Sequence, residues 1–198
     1  QTGVLEAPTI EDLFDYARAL AHNEPLDGKN IAVVTNGGGF GVLASDALVS
    51  NDLELAELSD ESIEKLRDVV PSYGNVGNPL DLVGDADADR FEAALRVLVE
   101  DDNIDGLMVI PLLQPLPLNS DVVDAIANVR EDYKKPLVTC LTGSDFTQLH
   151  MKNLERNKIA AYSAPDRAAN ALAALGRYGE WLRANGREAA STDPDEFF

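Results

Sequence analysis

The residues best placed to do chemistry are Asn36-Gly37-Gly38-Gly39-Phe40-Gly41. Three consecutive glycines, with a fourth two positions on, permit positive φ and let a backbone approach a ligand closely. The segment follows an apolar run, Ile31-Ala32-Val33-Val34-Thr35, and leads into a stretch that reads as a helix to about Val49. A helix N-terminus carries unpaired N–H groups and a partial positive charge. Glycines at that point make an anion site, most naturally for phosphate. The plain alternative is a tight strand-to-helix turn with no ligand.

Rival chemistries rank lower. Residues 39–44 fit the G-x-G-x-x-A dinucleotide pattern, with Glu57 placed to reach a ribose, but that pattern alone is weak. No Lys-Ser/Thr pair follows the glycines, which excludes a P-loop. Trp181, five Tyr and six Phe show no clustering at strand ends, so flavin ranks low. His22 and His150 read as ordinary helix-surface residues. Cys140, the single cysteine, reads as a small core residue and excludes an internal disulfide or a Cys-rich metal site. No metal site is expected. Asp81, Asp85, Asp87 and Asp89 form an acidic cluster that reads as solvated loop charge.

The elements that position the glycines alternate strand and helix. Thr9 is placed to N-cap a first helix, with Asp12 as its capping-box partner, and Pro25 and Gly28 end that element. Strands are expected at residues 31–35, 53–58, 106–110, 136–141 and 159–162, with a very short one near Leu80. Helices are expected over 60–70, 88–100, 121–132, 146–156 and 165–184, with Ser59 capping the first of these. Strands that are apolar throughout and separated by helices mean a parallel sheet covered on both faces. The expected fold is α/β: a flavodoxin-like, doubly wound sheet of about five strands in the order 2-1-3-4-5. Residues 1–28 read as a linker with one helix, 29–184 as the domain, and 185–198 as a mobile acidic tail.

Charge narrows the partners. Lys and Arg number 16 against 35 Asp and Glu, a net charge of −19. That excess opposes binding to nucleic acid and to anionic membranes. The carboxylates are dispersed and lysine is scarce, as on proteins of salt-loving organisms. No apolar run approaches a membrane span. Gln1-Thr2-Gly3 is neither basic nor apolar, so no signal peptide is expected. A reduced, cytoplasmic setting is the expectation, for a chain processed or cut from something longer.

Residues 31–46 (IAVVTNGGGFGVLASD) resemble the opening of an alpha-subunit domain of ADP-forming acyl-CoA synthetases, relatives of succinyl-CoA synthetase. Residues 53–65 (LELAELSDESIEK), 77–87 (GNPLDLVGDAD), 103–110 (NIDGLMVI), 135–141 (KPLVTCL) and 164–178 (APDRAANALAALGRY) agree with that family in order and spacing. Residues 1–14 resemble the linker after the family's phosphohistidine loop, whose Ser-His-Thr-Gly run does not occur here. The resemblance implies one domain of a ligase that interconverts acyl-CoA, ADP and phosphate with free acid, CoA and ATP, through an acyl phosphate and a phosphohistidine. It implies that Asn36, Gly37, Gly38, Gly39, Phe40 and Gly41 face that phosphohistidine, and that Asn78 and Asp81 order the adjoining loop. No catalytic residue is expected within the chain. The domain is expected to bind no cofactor alone; the full enzyme uses CoA, ADP or ATP, phosphate and Mg²⁺. Its partners are then the CoA-binding and ATP-grasp domains. The competing function is a ligand-binding domain fused to a protein acetyltransferase, with a dinucleotide-binding domain behind it.

Overall fold

The computed structural model describes residues 2–114, 118, 120–143 and 145–187. Six strands form one parallel sheet: β1 (Asn30–Thr35), β2 (Glu54–Leu55), β3 (Leu80–Asp81), β4 (Gly106–Ile110), β5 (Leu137–Cys140) and β6 (Ala160–Tyr162). The order is β2-β1-β4-β5-β6, with β3 also paired to β1. Leaving β3 aside, this is the doubly wound order expected from the sequence.

The central strands β1 and β4 send alternate residues to opposite cores, because successive side chains point to opposite faces. From β1, Ile31 and Val33 enter one core while Ala32 and Val34 enter the other. From β4, Met108 and Ile110 join the first core, and Leu107 and Val109 the second. The first core is covered by α1 (Ile10–His22), α2 (Gly38–Val49) and α7 (Pro165–Ala184). The second is covered by α3 (Asp60–Val69), α4 (Ala88–Glu100), α5 (Asp121–Asp132) and α6 (Asp145–Arg156). Both faces are therefore dry, which is why the strands carry continuous apolar runs.

Helix starts follow local chemistry. Thr9 and Asp12 form a reciprocal capping box on α1. Ser59 accepts from the Ser62 N–H at the start of α3, and Asp87 accepts from the Arg90 N–H at the start of α4. Pro165 begins α7, where a missing N–H costs nothing. That helix ends at Asn185 and Gly186, whose φ of 60° suits glycine. Residues 188–198, most of the expected tail, lie outside the described part.

Two elements differ from expectation. The second strand is short, because β1 shares one edge between two partners. β2 pairs with Asn30 and Ile31, and β3 pairs with Val34 and Thr35. The other difference is α2, which starts at Gly38, so Gly38, Gly39 and Gly41 lie within its first turn rather than in a preceding loop. The first helix lies outside the sheet, as expected, yet it covers the open edge at β6. Arg18 donates to the Ala161 carbonyl at 2.8 Å, and the Tyr162 hydroxyl donates to the Asp15 carbonyl at 2.9 Å. An open sheet edge is a template for unwanted pairing, and this contact blocks it.

Candidate phosphate site

Parallel strands place α2 with its N-terminus at the carboxyl end of β1. Gly37 is its N-cap, extended at φ −150°, with no side-chain cap. The Gly37 N–H is bound by the Thr35 hydroxyl oxygen at 3.1 Å, and that hydroxyl donates to the Ile110 carbonyl at 3.0 Å. The Phe40 and Gly41 N–H groups both donate back to the Gly37 carbonyl. Two donors remain without an acceptor among the described residues, the N–H groups of Gly38 and Gly39.

Each glycine has its own reason. A β-carbon on Gly37 would run into the Leu112 side chain. One on Gly38 would sit 2.8 Å from Oδ2 of Asp81, and one on Gly41 3.1 Å from Cβ of Pro79. One on Gly39 would meet nothing within 4 Å. None of these four has positive φ, so the left-handed freedom expected of the run is not used. Close approach of neighbours selects glycine at 37, 38 and 41. At 39 the space in front of the helix is open.

Asn36 is buried, and each end of its carboxamide is bound to the Leu112 backbone. Its Nδ2 donates to the Leu112 carbonyl at 3.1 Å, and its Oδ1 accepts from the Leu112 N–H at 2.8 Å. These bonds tie the end of β1 to the loop after β4. That loop crosses the point where the chain turns to opposite faces after β1 and β4, the usual nucleotide crevice of such sheets. Leu112 lies there, with its backbone on Asn36 and its side chain against Gly37. Glu57 is exposed, with its carbonyl held by Asn103.

Asn78 does what a strand would do. Its Oδ1 accepts from the Val33 N–H at 2.9 Å, and its Nδ2 donates to the Ile31 and Ala56 carbonyls at 2.7 and 3.1 Å. The carboxamide thus fills the gap between β2 and β3 along β1 and satisfies backbone groups that burial would otherwise penalise. A cis peptide joins it to Pro79. Three residues on, Asp81 accepts from the Val83 N–H at 2.9 Å through Oδ1 and directs Oδ2 at α2's first turn.

The other acidic residues hold loops. Asp85 accepts from the Tyr73 hydroxyl and from Arg90, both at 2.6 Å, and these bonds hold its carboxyl below the usual range. Among the described residues no group of three or more His, Cys, Asp or Glu could hold a metal ion. Cys140 is buried in the core, and burial pushes its thiol up to about 12, which makes it inert as a nucleophile.

The expectation for His150 is corrected. It is 3% exposed, not on a surface, and packs edge-on against Phe146 with ring centroids 4.5 Å apart. Among the described residues neither ring nitrogen has a hydrogen-bond partner. It misled because α6 presents Thr147, His150, Met151 and Leu154 as one buried stripe, whose polar members read as outward-facing. His22 is half-buried and is lowered chiefly by that burial.

Thr35 and Leu112 were missed as site residues. A hydroxyl just before a glycine run was a usable signal for Thr35. Nothing local marks Leu112, since its bonds to Asn36 span 76 positions.

The chain is similar to known proteins over most of its length. Residues 31–189 match the model of the Ligase-CoA domain. The chain is 36% identical over 180 residues to an ADP-forming acetate–CoA ligase I of Archaeoglobus fulgidus, covering 91% of this chain and 25% of that protein. It is 35% identical over 185 residues to the alpha subunit of an ADP-forming acetate–CoA ligase I of Pyrococcus furiosus, covering 91% and 39%. The apo structure of acetyl-coenzyme A synthetase 1 from Candidatus Korarchaeum cryptofilum superposes with a TM-score of 0.85 at 28% identity, covering 92% of this chain and 41% of that one. The chain thus spans between a quarter and about two-fifths of the length of these relatives. With the sheet order, the glycine turn and the sequence match in agreement, the chain belongs to the Ligase-CoA domain family.

Proposed function

We propose that this chain is one domain of an ADP-forming acid–CoA ligase and presents α2's first turn to a phosphoryl group carried on a histidine elsewhere in that ligase. The observation that carries this reading is the pair of N–H groups, Gly38 and Gly39, without an acceptor among the described residues, at a helix start where the space in front of Gly39 is open. That open space lets a phosphoryl group delivered by a neighbouring domain reach the Gly38 and Gly39 N–H groups. Preorganised N–H donors aimed at developing charge stabilise a phosphoryl group in transit without covalent chemistry. The partners are the CoA-binding and ATP-grasp parts of the same ligase, which hold CoA, ADP or ATP, phosphate and Mg²⁺. The protein acetyltransferase alternative is not favoured, since the matched relatives are named as ligases.

Two further parts of the proposal are a cytoplasmic setting and a salt-adapted surface, the latter supported by the net charge of −19. Among the described residues no helix is long and apolar enough to cross a membrane. Alone, the chain should not form acyl-CoA from acid, CoA and ATP.

The test is to assemble the complete ligase with Gly39→Val and follow histidine phosphorylation from labelled ATP, with circular dichroism as folding control. Losing a preorganised donor arrangement typically costs about 10²–10³ in rate. A folded variant that phosphorylates at the unmodified rate would reduce the glycines to a turn.

A further inference from the structure

The N-terminus of α2 is not a simple anion site, because a carboxylate shares it. Oδ2 of Asp81 lies 2.8 Å from the position a β-carbon would take on Gly38, beside one of the two free N–H groups. Its placement is held on three sides. Asp81 pairs in register with Thr35, the Leu82 N–H donates to the Thr35 carbonyl at 2.7 Å, and Oδ1 is tied to the Val83 N–H. Among the described residues Asp81 has no ion-pair partner, and the nearby Arg90 is engaged by Asp85 and the Leu82 carbonyl.

We infer that Asp81 is a specificity residue: its charge turns away free phosphate and nucleotide phosphates, so that the turn accepts only a phosphoryl group delivered on a partner's side chain. This rests on the phosphoryl-binding reading of α2. The magnitudes favour it. A helix N-terminus draws a unit anion by about two- to fivefold at an exposed site. A like charge about 4 Å away opposes it about fivefold for each unit of phosphate charge, even in a water-like dielectric. Both effects scale with the phosphate charge, so the carboxylate at least offsets the helix for a monoanion and for a dianion alike. A delivered group overcomes this through effective concentration, which reaches the millimolar range for tethered ligands. A free ion lacks that advantage.

The experiment titrates this chain, labelled with ¹⁵N, with inorganic phosphate and follows the Gly38 and Gly39 amide resonances. The buffer holds about 0.1 M potassium chloride, where the Debye length is about 10 Å. Sucrose maintains the fold. Asp81→Asn keeps an Oδ1 for the Val83 N–H, removes the charge and puts an Nδ2 donor where Oδ2 was, so the salt dependence separates loss of charge from the new donor. Asp85→Asn, also a loss of one charge in the same loop, is the control for net charge. The expected result is that Asp81→Asn binds phosphate about 5–30-fold more tightly than the unmodified chain. Asp85→Asn should change it less than twofold, and the Asp81 effect should shrink in 1 M salt. Equal affinities for the unmodified chain and Asp81→Asn overturn the inference while leaving an anion site in place. Absence of amide shifts in both, or an equal gain in Asp85→Asn, overturns it as well. The phosphoryl reading itself stands or falls separately, on the Gly39→Val ligase.

Discussion

Arg167 holds the carboxylate of Asp15 by two parallel hydrogen bonds, Nε to Oδ2 and Nη2 to Oδ1, each 2.8 Å long. The pair joins α1 to α7 across 152 positions of sequence. The Asp15 side chain is 3% exposed, while that of Arg167 is 29% exposed and also reaches Glu11. Fork-to-fork geometry and a desolvated acceptor make this one of the stronger polar contacts available to a surface helix. Asp15→Ala should lower stability by about 1.5–3 kcal/mol in urea unfolding, because Arg167 keeps solvent and Glu11. A loss below about 0.5 kcal/mol would show that α1 is held by its apolar contacts alone.

Asn78 offers a sharper test of the sheet. Asn78→Asp keeps the acceptor for Val33 but loses both donors, and it turns a charged oxygen toward the Ile31 and Ala56 carbonyls. A loss of about 2–4 kcal/mol is expected at neutral pH, partly recovered at low pH as the carboxyl protonates. A stability equal to that of the unmodified chain at neutral pH would mean that β1 does not need its side-chain partner.

The glycines should separate by position. Gly179→Ala drives a β-carbon into the Leu26 backbone carbonyl, which cannot move aside, so a loss of several kcal/mol or failure to fold is expected. Gly37→Ala should cost less, since it displaces a leucine side chain. Gly39→Ala faces open space within a helix and should leave the melting temperature unchanged or slightly raised. Thermal melts of the three variants check the order, and a Gly39→Ala that melts below Gly37→Ala contradicts it.

Asp101 should contribute to the acid limb of stability. Burial pushes its carboxyl up, but hydrogen bonds from the Ser62 hydroxyl and from the Ser59 and Asn103 N–H groups outweigh burial and leave it below the usual value. A carboxyl depressed on folding binds protons more readily when unfolded. Its contribution is therefore present above the unfolded aspartate range and disappears as pH falls through the folded value. Asp101→Asn should lower stability at pH 7 and converge on the unmodified chain as pH drops below the ordinary aspartate range, near 4. Denaturant midpoints from pH 7 to 3 measure this, and parallel curves would exclude the linkage.

The net charge of −19 makes the compact state repel itself. Melting temperature should rise from low salt to about 1 M potassium chloride, where the Debye length has fallen to about 3 Å and screening saturates. A flat or falling curve removes the salt-adapted reading of the surface.

Sequence alone determined the layered fold and the position of the glycine turn. Strand runs such as Gly106–Ile110 are apolar throughout because both faces are buried, and helices such as Ala88–Glu100 carry their cap and apolar stripe in local spacing. Short-range regularities of this kind need no knowledge of distant residues, and they were enough to order five strands. Tertiary structure alone decided which groups remain free at α2's first turn. Asn36 has the chemistry of a phosphate ligand, but Leu112, brought alongside by β4, takes both ends of its carboxamide. Gly37, Gly38 and Gly41 look alike in sequence, yet Leu112, Asp81 and Pro79 give each a different reason to lack a side chain. His150 reads as polar and outward until α6 packs and buries it. The physical reason is common to all three. Periodicity and capping are set within a turn or two of chain, whereas hydrogen-bond satisfaction and close approach depend on residues tens of positions away that only the folded sheet makes neighbours.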